Sequence, residues 1–124
     1  MKKLMLLFLL LPVMIGCSRT RAIEFCEGIT PEGKGVNCGG TFEEGELLAV
    51  ISAKDPFGVN ALTVQVQEVR NGKKEPLESI TVDVKPDRDT ATANLSLYTG
   101  GTYVVRAMKK DEMIGEGEVV IKEK

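Results

Sequence analysis

Leu62-Thr63-Val64-Gln65-Val66-Gln67 alternates aliphatic and polar side chains without a break, and that alternation decides the fold. In an extended strand successive side chains point to opposite faces, so the three aliphatics share one face and Thr63, Gln65 and Gln67 the other. A sheet built this way is buried on one side and wet on the other. The same period runs outward in both directions. Leu47 to Ala53 is a largely apolar strand closed by the turn residues Asp55, Pro56, Phe57 and Gly58. Asn71 and Gly72 signal a tight turn, after which Ile80, Val82 and Val84 alternate with Thr81 and Asp83 as far as Pro86. Ala91, Ala93, Leu95 and Leu97 alternate with Thr92, Asn94 and Ser96. Two last strands, from Thr102 to about Met108 and from Ile114 to Ile121, flank a polar turn at Lys110 and Asp111. Beyond Glu46 no stretch carries an apolar stripe of helical period. With an edge strand near Thr41 and Phe42, the pattern predicts an all-β protein, an antiparallel β-sandwich of about seven strands.

Within that pattern Leu95, Leu97, Gly100, Gly101, Tyr103 and Val105 resemble the approach to the sixth strand of immunoglobulin-like and fibronectin type III domains. The resemblance implies that the Tyr103 hydroxyl bonds upstream backbone and that Val105 packs between the sheets, where antibody domains carry a cysteine. The core Trp of antibody domains has no counterpart in this Trp-free chain, nor does their inter-sheet disulfide. A small β-barrel or jelly roll is the alternative architecture. The resemblance speaks to fold and not to function.

The beginning of the chain carries a different signal. Lys2 and Lys3 precede an apolar run from Leu4 to Ile15, followed by Gly16 and Cys17, the pattern of an export signal and its cut site. The run is about a dozen residues long, short of the roughly 20 that a membrane-spanning helix needs. Met14-Ile15-Gly16-Cys17 resembles a bacterial lipobox, with Met14 where that motif usually has Leu. The resemblance implies a diacylglycerol on the Cys17 thiol and cleavage before it. That gives a signal peptide at 1–16, a lipidated tether at 17–23 and a sandwich domain at 24–124. Ser18 next to the lipidated cysteine is similar to lipoproteins that Gram-negative bacteria pass to the outer membrane, whereas Asp there commonly holds them at the inner one. The implied address is the cell envelope, on the outer membrane facing the periplasm. In a bacterium with a single membrane the anchor lies on its outer face. Arg19 and Arg21 in the tether sit where they meet headgroups, at about 1 kcal/mol each on an anionic leaflet.

Cleavage after residue 16 of the 124 leaves 108 residues, enough for one domain with a core of its own. Lys2 and Lys3 are two of the 16 basic residues, so 14 remain against 18 acidic ones, a balance of −4. That mild acidity argues against a nucleic-acid binder, which needs a basic face to displace phosphate counterions. The chain has no His and no Trp, hence neither the commonest general base and metal ligand nor the strongest stacking ring.

With Cys17 given to the lipid, Cys26 and Cys38 form an isolated pair in an exported chain, and a disulfide is expected. Closing this loop is worth about 3 kcal/mol on the chain-entropy model. A two-thiolate metal site is the rival, short of ligands in a chain without His. From Glu24 to Gly45 the sequence is rich in Gly and contains Pro31, and it reads as an irregular, disulfide-pinned loop.

Other motifs weaken on inspection. Gly28, Gly33 and Lys34 have the spacing of a phosphate-binding loop, but Gly35 stands where Ser or Thr is required and Pro31 interrupts. Asp83, Asp87 and Asp89 near Thr90 offer oxygen ligands for calcium, with Lys85 and Arg88 interleaved, and read better as a solvated turn. Glu43, Glu44 and Glu46 read as an exposed acidic turn, not as carboxylates flanking a cleft. Phe25, Phe42 and Phe57 all fall outside the alternating strands. They either plug the ends of the sandwich or, with Lys34, form a partner-binding patch on its loops.

The expectation is therefore a lipid-anchored, non-catalytic binding or assembly module of the cell envelope. No cofactor, metal or nucleic acid is called for; the membrane is contacted through the lipid, and the partner is another envelope protein. One alternative is an accessory subunit that joins a complex by strand-edge pairing. Another is a small enzyme using Ser or Tyr as nucleophile with Lys34 as base.

Overall fold

The computed structural model describes residues 21–123, and the proposed signal peptide, Cys17 and the first tether residues lie outside them. The described residues form ten strands in two sheets. The strands are β1 (Arg21–Ala22), β2 (Glu24–Ile29), β3 (Gly35–Gly39), β4 (Thr41–Glu43), β5 (Gly45–Ser52), β6 (Ala61–Arg70), β7 (Lys73–Asp83), β8 (Thr90–Leu97), β9 (Gly101–Lys109) and β10 (Glu112–Lys122). One sheet runs β3-β2-β5-β8. The other runs β7-β6-β9-β10, with β1 and β4 both lying parallel along the outer edge of β10. All other pairings are antiparallel. β2, β5 and β8 facing β6, β9 and β10 reproduce the division of strands in an immunoglobulin-like sandwich.

The alternating residues meet between the sheets as expected. Leu62, Val64 and Val66 of β6 and Tyr103, Val105 and Ala107 of β9 face Leu47, Ala49 and Ile51 of β5 and Ala93, Leu95 and Leu97 of β8 in one core. Val105 is fully buried in it. The Tyr103 hydroxyl donates to the Thr99 carbonyl at 2.6 Å, the upstream backbone bond expected of it. Asn71 and Gly72 both have positive φ, 51° and 78°, which the two-residue connection between β6 and β7 requires.

The segment read as an irregular loop is mostly strand. β2 and β3 form a hairpin with Cys26 opposite Cys38, and their disulfide joins two hydrogen-bonded neighbours. The expected pairing therefore holds, but it staples a hairpin and does not merely pin a loop. Gly35 is obligatory here, because a Cβ on it would clash with both sulfurs. Local glycine content masked the strands, since pairing with β5 and a covalent bond outweigh the poor strand propensity of glycine.

Between β1 and β2 the chain crosses from one sheet to the other at Ile23, whose N–H donates to the Glu116 carbonyl at 3.1 Å. Gly117 of β10 makes room for the crossing: a Cβ there would lie 2.8 Å from the Ile23 carbonyl and from the Phe25 ring. This closes one lateral side of the sandwich. On the other side β7 and β8 are free edges.

Candidate functional site

The sequence candidates are scattered by the fold. Phe57 is 1% exposed and Phe25 3% exposed, both within the core, so neither ring has surface to offer a partner. Phe42 is partly buried against the same core from β4. For Phe25 and Phe57 the partner-binding patch is thereby corrected: these two rings are plugs, whose apolar area is more stabilising inside than out, while Phe42 also lines a groove at the surface. Lys34 stands exposed at the β2–β3 hairpin tip, far along the strands from Phe57.

The other motifs resolve in the same direction. Gly28 to Lys34 spans the end of β2 and a tight turn in which Thr30 accepts from the N–H groups of Gly33 and Lys34. It opens no helix, and so has no helix N-terminus for a phosphate. Among the described residues the one convergence of metal-type side chains is Glu24, Cys26 and Cys38, with ligand atoms within 4.8 Å of one another, and its two sulfurs are bonded together. The three aspartates around Pro86 do not converge in this way.

What the fold does assemble is two unlike ends. At one end, loop 53–60 is laced to loop 84–89 by backbone bonds: Ala53 N–H to the Asp89 carbonyl at 2.7 Å, Phe57 N–H to Arg88 at 2.7 Å, Gly58 N–H to Pro86 at 2.9 Å and Val84 N–H to Asn60 at 2.9 Å. Beside them, against the turn that joins β9 to β10, a cleft of about 290 Å³ is lined by Lys54, Asp55, Lys109 and Glu112 above Phe57 and Ile114. Two ammonium groups and two carboxylates around one opening can meet a ligand that carries both charges.

The opposite end holds the hairpin tip, the Asn71–Gly72 turn and the segment between β8 and β9. A shallow groove there is lined by Glu27, Glu43, Glu44 and Glu46, with Lys122 as its one base. Beside it Tyr98, 60% exposed, donates to the Glu46 carboxylate at 3.2 Å. The Glu46 charge raises the pKa of Tyr98 above its ordinary value. Tyr103 is also raised, chiefly by burial and then by the Glu68 charge, against an opposing effect from Arg70. Tyr98 was not singled out from sequence, although the β8 alternation that sends Leu95 and Leu97 inward sends position 98 outward.

Searches against protein-family models and against the curated proteins found no match to this chain.

Proposed function

We propose that this protein is a lipid-anchored component of the bacterial cell envelope, with a non-catalytic sandwich that serves as a binding or assembly module on the outer membrane facing the periplasm. The observation that carries the reading is the Cys26–Cys38 disulfide. A structural disulfide suits an oxidising compartment, and it leaves the lipobox-like cysteine at 17 for acylation. A rigid, well-packed sandwich core is the kind of frame on which loops recognise partners. Replacing Cys17 by Ala should abolish labelling by radioactive palmitate and release the protein from membranes. A variant still labelled and still membrane-bound would overturn the anchor.

A second reading, joining a complex by strand-edge pairing, is favoured by the contrast between the neighbouring edges β7 and β8. β7 carries Lys73, Lys74, Pro76 and a bulge that leaves Leu77 half exposed, all devices that discourage pairing. β8 is uncharged from Thr90 to Leu97, has no proline and keeps an unbroken register with β5. A lysine in place of Asn94 should then block partner capture while leaving the melting midpoint in place. Capture unaffected by that change would remove the edge from consideration.

A further inference from the structure

We infer that the end of the sandwich formed by loop 53–60, loop 84–89 and the Lys110–Asp111 turn rests on the lipid headgroups, and that the hairpin end faces away from the bilayer. The inference rests on the lipid-anchored reading and adds to it an orientation and a contact surface.

Direction comes first. β1 runs parallel to β10, with Arg21 opposite Gly115 and Ala22 opposite Glu116. β10 begins at Glu112, immediately after the turn, and runs away from it. The backbone therefore arrives at Arg21 from the side of the turn, and any anchor before it lies on that side.

Length then decides how close the anchor holds the domain. Cys17 precedes Arg21 by four residues, which span at most about 14 Å when fully extended. Arg21 is level with Gly115, which pairs with Ala107 across a bulge at Met113–Gly115, so the tip of the turn, three residues on from Ala107, projects about 10 Å beyond it. Even fully extended, the tether would reach only about 4 Å past the tip, less than the depth of the headgroup layer. That is too little to lift this end clear of the surface, and tilting the domain brings the same end and the adjoining β1 edge to the bilayer.

The chemistry of the two ends agrees with that placement. The cleft beside the turn presents Lys54 and Lys109 together with Asp55 and Glu112. The ammonium groups suit a lipid phosphate and the carboxylates an amine, the two charges of a zwitterionic phospholipid headgroup. The groove with four glutamates and one lysine lies at the other end, away from the negative potential of an anionic leaflet.

The test uses the acylated full-length protein, its lipid verified by intact mass, in vesicles of phosphatidylethanolamine and phosphatidylglycerol that carry a headgroup quencher. An environment-sensitive fluorophore is placed on a cysteine at exposed Asp87 (D87C) or exposed Glu32 (E32C), with Cys26 and Cys38 left oxidised. Quenching should be several-fold stronger at position 87 than at position 32. Equal quenching, or stronger quenching at 32, in protein whose mass shows the acyl chains would overturn the orientation and leave the anchor standing. A mass without acyl chains would overturn the anchor and this inference with it. Hydrogen exchange on the unaltered acylated protein guards against a misfolded variant. Moving it from detergent to vesicles should slow exchange in loops 53–60 and 84–89, and slowing confined to the hairpin would equally refute the placement.

Discussion

The two ends of the sandwich are held by different physics. At the cleft end, two long loops are laced by four backbone hydrogen bonds over the buried Phe57 ring. At the hairpin end the connections are short, two of them turn on positive-φ residues, and a disulfide and a tyrosine hydroxyl fasten the chain. The first device depends on apolar burial, the second on local covalent and polar bonds. In the proposed placement on a membrane, the loops that would meet headgroups are the laced ones, while the other end could adjust without melting the core.

The largest expected effect lies at the cleft end. Phe57→Ala removes a ring with essentially no exposure and should cost about 3–5 kcal/mol in urea unfolding, through lost burial and the cavity left behind. Exchange should also quicken in loop 84–89, because its bonds to loop 53–60 depend on the ring. A loss below about 1 kcal/mol would mean that the lacing alone holds this end.

Next comes the hairpin. Replacing Cys26 and Cys38 together by Ala should lower stability by about 3 kcal/mol on the loop-entropy model. Since β3 has β2 as its one sheet partner, protection should be lost mainly over residues 35–39 while the cleft end keeps its exchange rates. If loops 53–60 and 84–89 loosened equally, the two ends would not be independent.

How much of this was legible in the sequence follows from the same division. β5 could be read as a largely apolar run and the alternating strands after it because burial on one face imposes period two, and Tyr103 and Val105 behave as the resemblance implied. The cysteine pairing was legible once the lipobox-like motif set Cys17 aside, leaving Cys26 and Cys38 as a pair. β2 and β3 were not, because their residues include Gly28, Gly35 and Gly39 and their strand character comes from pairing and the disulfide. The first half of β7 was hidden similarly, since Lys73 to Ser79 is exposed throughout and holds its place by pairing with β6. The three phenylalanines fell in loops or strand ends outside the alternating strands, and only the three-dimensional fold turns Phe25 and Phe57 fully inward. The cleft was invisible because Lys54 and Lys109 are brought together by strands far apart in the chain.

A smaller effect separates covalent from polar fastening within the hairpin end. Tyr103→Phe deletes the bond to the Thr99 carbonyl and should cost about 1 kcal/mol, the net worth of one such bond, without changing the urea dependence of unfolding. A neutral result would show that ring burial alone fixes the start of β9.

The smallest effect is an alkaline one, and it distinguishes the two tyrosines by cause. Tyr103 is raised first by burial and Tyr98 first by the Glu46 charge. A raised phenol pKa favours the protonated ring in the folded state. The stability it contributes is fully present below the ordinary value of 10.0 and is lost as pH climbs through the higher folded value. Tyrosinate absorbance should therefore develop late for both rings, and Tyr103→Phe should reduce the alkaline fall in stability. Glu46→Gln or added salt should return Tyr98 towards its ordinary titration, because its main cause is an exposed charge that salt screens. Tyr103 should resist both treatments, since salt does not undo burial. If both rings moved together, the Tyr103 shift would arise from charge as well, and its hydroxyl would be less deeply seated than the corner geometry requires.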